Sequence, residues 1–306
     1  MAPTNNIQDL FSVPGLVAVI TGGGSGLGLY AARALDANGA KAVYILGRRE
    51  ETLKTAASTG VNGRIIPIAC DVTDKASLAA AADQVRREQG YINLLFANAG
   101  IGGPNNASAA KREDGSQASP KEFADACLQP EMAEVTKTMH VNNTSVLYTV
   151  MSFLDLLDLG NKQQNVAQDS QVIVTSSIAG FSRAMATGFA YSTSKAAVTH
   201  LVKMMSTSFA QQGFRIRANV IAPGLYPSEL TANSVDQLAE WKGKGEHTAF
   251  PDARVMEKER CPSLRTGSEE DFAGTFLYMA SRAGAYLNGE TLVTDGGRLA
   301  QMPAVY

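Results

Sequence analysis

Tyr191 and Lys195 stand four residues apart in Tyr191-Ser192-Thr193-Ser194-Lys195, a spacing that puts both side chains on one face of a helix. A phenol titrates near about 10 and a lysine near about 10.4, so a neighbouring ammonium favours the tyrosinate and brings the phenol toward acid–base work at neutral pH. Two adjacent hydroxyls, Ser176 and Ser177, close an apolar run upstream. A different chemistry belongs to Thr21-Gly22-Gly23-Gly24-Ser25-Gly26-Leu27-Gly28, set between an apolar run and a helix-compatible stretch, Leu29 to Ala37. Glycines let an anion approach the backbone closely, and the free N–H groups of a helix start receive it. The spacing is not GxGxxG, and no Gly-Lys-Ser/Thr follows as in a P-loop.

A second apolar run ends at Leu46-Gly47-Arg48-Arg49-Glu50-Glu51. At this place dinucleotide folds choose between a ribose diol, held by an acid, and a 2′-phosphate, accommodated by an arginine. Gly47 brings no carboxylate to repel the phosphate. The arginines open a predicted helix, where a cation is disfavoured by roughly 0.3 to 1 kcal/mol, so an anionic ligand explains them better than a solvated pair balanced by Glu50 and Glu51. The pattern favours NADP(H), with Arg48 ahead of Arg49.

Elements must hold these groups in place. Short β-branched runs alternate with stretches carrying apolar residues three and four apart, the βαβ pattern of a parallel sheet. The predicted strands are Leu16 to Thr21, Ala42 to Leu46, Arg64 to Ala69, Ile92 to Ala97, Gln171 to Ser176, Arg215 to Ile221 and Glu290 to Thr294, most of them continuously apolar as strands buried on both faces are. Predicted helices include Ala76 to Glu88 and Ala196 to Ala210, whose Met204 and Met205 read as core packing. The expected fold class is α/β, a single doubly wound Rossmann-like parallel sheet of about seven strands with helices on both faces. Two segments break the rhythm, a surface insertion at 102–130 and a lid at 225–267 that carries Trp241, Phe250 and several leucines. No linker or repeat divides the chain, so residues 1–306 read as one domain.

Composition narrows the partners. With 27 Lys plus Arg against 29 Asp plus Glu, the 306-residue chain has a net charge of −2 and no basic footprint for nucleic acid or an anionic membrane. No run of about 18 apolar residues and no signal peptide is present, so the expected location is cytoplasmic. Cys70, Cys127 and Cys261, with His140, His200 and His247, are too scattered for a disulfide framework or a metal site. A redox cofactor would then be organic.

The Thr-Gly-x-x-x-Gly-x-Gly spacing of Gly22, Gly26 and Gly28, followed in order by Asp71-Val72, Asn98-Ala99-Gly100, Ser176-Ser177-Ile178-Ala179-Gly180 and Tyr191-x-x-x-Lys195, resembles the short-chain dehydrogenase/reductase family. The resemblance runs from about Leu16 to Gly297, where Leu287-Asn288-Gly289-Glu290 and Val293-Thr294-Asp295-Gly296-Gly297 match the closing strand and turn. It implies cofactor contacts from Gly22, Gly24, Ser25, Gly26, Leu27 and Gly28, from Asp71 to an adenine amine, and from Val72, Asn98, Ala99, Gly100, Tyr191 and Lys195. Asp71 reads equally as a helix N-cap. The Asn219-Val220-Ile221-Ala222-Pro223-Gly224 segment matches the family's nicotinamide side, and Thr231 either contacts the carboxamide or is an ordinary loop residue.

In the family's terms Asn142, Ser177, Tyr191 and Lys195 form the catalytic group, with Asn142 holding a water that relays protons through Lys195, which in turn depresses the pKa of Tyr191. Ser177 precedes Tyr191 by fourteen positions, one more than the usual family spacing, which leaves Ser176 as an alternative. Asn142 lies in His140-Val141-Asn142-Asn143-Thr144-Ser145, with Ser145 where glycine is commoner; His140 reads as a helix-face residue. The implied activity is NADPH-dependent reduction of a lipophilic ketone to a secondary alcohol, the fungal-type 3-oxoacyl-reductase-like members being the nearest in kind. Alcohol oxidation by the same site, and a non-redox NADP(H)-binding cyclase, isomerase or binding protein, are the alternatives. Ser177, Met185, Phe189, Tyr226 and Trp241 are the expected substrate contacts. With no cluster of Lys or Arg in the lid to mark an acidic carrier protein, the partner is a free small molecule, and the resemblance implies a homodimer or homotetramer.

Overall fold

Seven strands, β1 (Val17–Thr21), β2 (Ala42–Gly47), β3 (Ile65–Ala69), β4 (Leu94–Ala97), β5 (Gln171–Thr175), β6 (Arg217–Pro223) and β7 (Thr291–Thr294), form one sheet in the order β3-β2-β1-β4-β5-β6-β7. Every pairing is parallel. The computed structural model describes residues 4–106, 109, 111–112, 114–185, 187–243 and 250–305. The order reverses between β1 and β4, whose registers start at Ala18 opposite Leu94, and ligands of open α/β sheets bind outside the carboxyl ends of the strands at such a switch point.

The helices are α1 (Ile7–Phe11), α2 (Gly26–Ala37), α3 (Glu50–Ala57), α4 (Lys75–Glu88), α5 (Pro120–Leu128), α6 (Met132–Met139), α7 (Ser145–Gln163), α8 (Phe189–Gln211), α9 (Ala232–Val235) and α10 (Glu269–Ala280). Leu78, Ala82 and Val85 of α4, Val150 and Phe153 of α7 and Val198 and Val202 of α8 cover one face of the sheet. Ala31 and Leu35 of α2, Leu53 of α3 and Phe272 and Phe276 of α10 cover the other. Both faces being dry, β1, β4 and β6 are buried along their whole length, which is why their sequences are apolar without alternation. Met205 joins this core, whereas Met204 is exposed, so only one of the two methionines packs as expected.

The two irregular segments have structure of their own. The 102–130 segment is not all surface loop: Ser119 closes a capping box with Glu122 and Pro120 starts α5, a strong helix start. The 225–267 segment leaves and returns at one point, since Gly267 N–H donates to Leu225 O at 2.9 Å. Between, isolated antiparallel bridges pair Glu240 with Arg254 and Val255 with Arg265, over buried Val235, Ala253, Met256 and Cys261. His247 lies outside the described residues.

Candidate active site

The carboxyl ends of β1, β4, β5 and β6 open on a cleft of about 650 Å³. Its floor is the glycine loop, which leaves β1 and turns into α2. Gly26 has φ +52°, left-handed backbone that favours glycine, and a Cβ on Gly28 would lie 2.3 Å from Gly22 O. Thr21 Oγ1 accepts from the N–H groups of Asn98 (3.0 Å) and Ala99 (3.1 Å), and Asn98 Nδ2 donates to Thr21 O (3.2 Å) and Gly22 O (3.3 Å). The loop is thereby tied to the end of β4. Ser25 stands at the N-cap of α2 but its side chain makes no capping bond, so the first N–H groups of that helix face the cleft free for an anion.

At one end of the cleft, Asp71 accepts from Thr73 N (2.9 Å) and Thr73 Oγ1 (2.7 Å), bonds that hold its carboxyl below the usual range. The N-cap of α4 is Asp74, not Asp71: its carboxylate accepts from Ala76 N and Ser77 N. Asp71 and Val72 both line the cleft, as do Arg48 and Arg49. The arginines differ in their company. Arg49 Nη2 lies 2.6 Å from Glu229 in an exposed ion pair, whereas no hydrogen bond or ion pair engages the Arg48 side chain among the described residues.

At the other end, Tyr191 lies in the first turn of α8. Lys195, only 4% exposed, donates to Thr175 O at 2.9 Å and holds its Nζ 5.6 Å from the Tyr191 ring centre. Burial pulls this lysine down to about 8, because an ammonium loses its hydration in the interior. Burial raises the Tyr191 phenol, and its hydrogen bond with Ser177 opposes the rise. Ser177 Oγ accepts from Ala179 N at 3.1 Å, leaving its own proton for the phenol.

The two serines differ in where each hydroxyl goes. Ser176, 1% exposed, is closed into the interior by Lys195 O (3.0 Å) and Thr199 Oγ1 (2.6 Å). Ser177 meets Tyr191. Asn142 sits in a turn of π-helix, His140–Thr144, between α6 and α7, a feature the residue pattern did not announce. Its Oδ1 accepts from Ile101 N (2.8 Å) and its Nδ2 donates to Ile101 O (2.9 Å) and Ser194 Oγ (3.0 Å). Both amide protons are spent, so a water relay at Asn142 has the backbone carbonyl to use rather than the side chain.

The expected substrate contacts divide. Tyr226 lines the main cleft, with its hydroxyl 2.6 Å from Thr294 Oγ1 and its ring edge-on to Phe272. Met185 and Phe189 instead line a separate cavity of about 200 Å³ with Ala179, Gly180 and Ser182, because the loop before α8 turns them outward; Phe189 is 54% exposed. Trp241 lines neither cavity, its backbone being paired with Ala253. Pro223, Gly224 and Thr231 line the main cleft, though the Thr231 hydroxyl is turned back to Tyr226 O at 2.5 Å. Ile101, Lys137, Val141 and Leu230 line it too and were not singled out from sequence; Ile101 and Val141 are each the immediate neighbour of a motif residue, Gly100 and Asn142, which is the signal that marks them.

The short chain dehydrogenase family matches residues 16–239. The chain belongs to this family. A short-chain dehydrogenase/reductase of Diaporthe leptostromiformis, PhomF, is 42% identical over 307 residues, covering 100% of this chain and 99% of the relative. VdtF of Byssochlamys spectabilis, of the same description, is 38% identical, covering 98% and 97%. Among solved structures, a Pseudomonas aeruginosa RhlG/NADP active-site complex superposes with a TM-score of 0.73 at 26% identity, covering 95% of this chain and 99% of that one. This short-chain dehydrogenase is thus an oxidoreductase of a family that binds nicotinamide cofactors and acts on small molecules. Among its described residues no helix is long and apolar enough to cross a membrane, and no three His, Cys, Asp or Glu could hold a metal ion.

The residues present fit such a cofactor. The side chains missing at Gly26 and Gly28, the unused Ser25 cap and the free Arg48 guanidinium leave room and charge for a phosphorylated ligand along the cleft.

Proposed function

We propose that this chain reduces a lipophilic ketone to a secondary alcohol with NADPH. The observation that carries the reading is that one cleft holds an unpartnered Arg48 at one end and the linked Ser177, Tyr191 and Lys195 at the other. Arg48 supports NADPH over NADH as the cation for a 2′-phosphate, with Arg49 second because Glu229 already engages it. The RhlG structure, a complex with NADP, points the same way.

The bound nicotinamide supplies a hydride to the carbonyl carbon. The chain does the rest. With the ketone bound, Ser177 turns its hydroxyl proton from the phenol to the carbonyl oxygen, and Tyr191 passes its phenolic proton to that oxygen as charge develops. Burial raises the phenol, so Tyr191 carries its proton at neutral pH and serves as the acid in the reducing direction. Lys195, at about 8, exchanges protons readily near neutrality and restores the phenol from the Asn142 side. Ile101, Val141, Tyr226 and Leu230 give this end of the cleft an apolar wall, which suits a ketone with little polar substitution.

Loss of the reduced-nicotinamide absorbance with a panel of ketones tests the activity. Tyr191→Phe should bind NADPH as the wild type does and turn over about a hundredfold to ten-thousandfold more slowly, and Arg48→Ala should weaken NADPH about tenfold while leaving NADH unchanged. Failure of every ketone to consume NADPH, or full activity of Tyr191→Phe, overturns the reading.

A further inference from the structure

Arg49 has a partner that its own helix does not supply. It stands at the N-cap of α3, and the two acids that follow it are engaged elsewhere, since Glu50 and Glu51 each lie 2.9 Å from Lys54 Nζ. The carboxylate that meets Arg49 comes from the opposite wall of the cleft. Glu229 Oε2 lies 2.6 Å from Arg49 Nη2, across 180 positions of sequence, and both residues line the cleft beside Arg48.

An ordered turn carries Glu229 there. Tyr30 of α2 donates its hydroxyl to Pro227 O at 2.9 Å, and Thr231 N–H donates to Ser228 O at 3.1 Å. Ser228 packs so closely on the glycine loop that a Cβ on Gly26 would lie 2.8 Å from Ser228 Cβ. The turn is therefore fastened on both sides of Glu229 without help from the ion pair. The pair adds little stability in return, because its side chains are 63% and 57% exposed and water screens such pairs almost completely. Its place in the cleft, rather than its strength, is what distinguishes it.

We infer that Glu229 sets how strongly this chain prefers NADPH over NADH, by opposing the 2′-phosphate from the far wall of the cleft. The inference rests on the NADPH reading. At the end of β2, where an acid would hold a ribose diol, stands Gly47, and Glu229 brings a carboxylate back to that corner from another element. A ribose diol leaves the Arg49–Glu229 pair undisturbed. A 2′-phosphate at Arg48 meets Glu229 twice over, as a like charge and as a rival for Arg49, whose fork of N–H donors suits carboxylate and phosphate alike. The phosphate therefore draws on one arginine where the sequence offers two, and the preference for NADPH is held down accordingly.

Titration with NADPH and with NADH, followed by nicotinamide fluorescence, reads this without any ketone. Glu229→Gln should raise the ratio of NADPH to NADH affinity about threefold to tenfold, with NADH itself changing by less than about twofold, and the gain should shrink as salt is added. Adding Arg49→Ala to Glu229→Gln should return NADPH to about its wild-type affinity, because the pair as a whole is neutral; damage to the turn alone would not be repaired by a change on α3. An unchanged ratio in Glu229→Gln, or an equal change for both cofactors, overturns the inference. Arg48→Ala separates it from the reading beneath it. If Arg48→Ala abolishes the preference for NADPH while Glu229→Gln leaves the ratio alone, only the role of Glu229 falls; if neither moves the ratio, the NADPH reading falls with it.

Discussion

A half-buried tyrosine and a buried lysine stand at the centre of the site. Burial raises the Tyr191 phenol and lowers the Lys195 ammonium to about 8, so both drift toward their neutral forms. The lysine carries a consequence for stability. Its folded value of about 8 lies below its ordinary value of 10.5, so between these pH values the unfolded chain keeps a proton that the folded chain has given up. Stability must therefore rise with pH through that window and be lowest below it. Urea unfolding of the cofactor-free protein, compared with Lys195→Met, should show the wild type gaining on the order of 3 kcal/mol relative to the variant from pH 8 to 10.5; a flat difference would mean that Lys195 is solvated. The types and spacing of these two residues were legible in the sequence. The balance between them was not, because desolvation depends on what packs over a side chain and spacing says nothing of that.

Among elements, the strands were the most legible, since strands covered on both faces leave continuous apolar runs; β4 starts two residues later than expected, and β6 is shifted two residues along the chain, to Arg217–Pro223. The 225–267 segment was legible as an interruption, but not how it is held, because backbone-to-backbone bonds such as Gly267 N–H to Leu225 O can be made by any sequence. The π-turn at His140–Thr144 escaped too, because one extra residue in a helix leaves the apolar spacing on either side intact. That turn aims Asn142 inward, 1% exposed, where three bonds lock Ile101 after β4 to Ser194 on α8. Asn142→Ala would leave the Ile101 N–H and carbonyl buried without a partner, and should cost about 2 to 4 kcal/mol in chemical unfolding. Ser194→Ala removes its bond from Asn142 and the one it donates to Tyr191 O at 2.7 Å but strands no buried backbone N–H, and should cost less, about 1 to 2 kcal/mol; equal costs would remove the amide from its bracing role.

For the molecule as a whole, the site faces one end of the sheet while the helical layer on one side is left with an apolar surface. Leu147 and Met151, one turn apart on α7, are 37% and 45% exposed, Tyr148 beside them 42%, and Met204 on α8 57%. Tyr148 has Lys75 Nζ 5.4 Å from its ring centre, whereas Leu147, Met151 and Met204 are left as apolar surface, which in clusters marks an interface. We propose a second copy of this chain as the partner, since a twofold arrangement sets the same face against itself. It would also stiffen the layer that holds Asn142 at the start of α7 and Tyr191 at the start of α8, so assembly and activity should fall together. Sedimentation equilibrium should return a dimer or tetramer for the wild type. Met151→Glu with Met204→Glu places a carboxylate on each helix, and should shift the protein toward monomer with a loss of turnover that greater protein concentration restores. A wild-type monomer, or a charged variant that assembles as before, would leave that face to some other role.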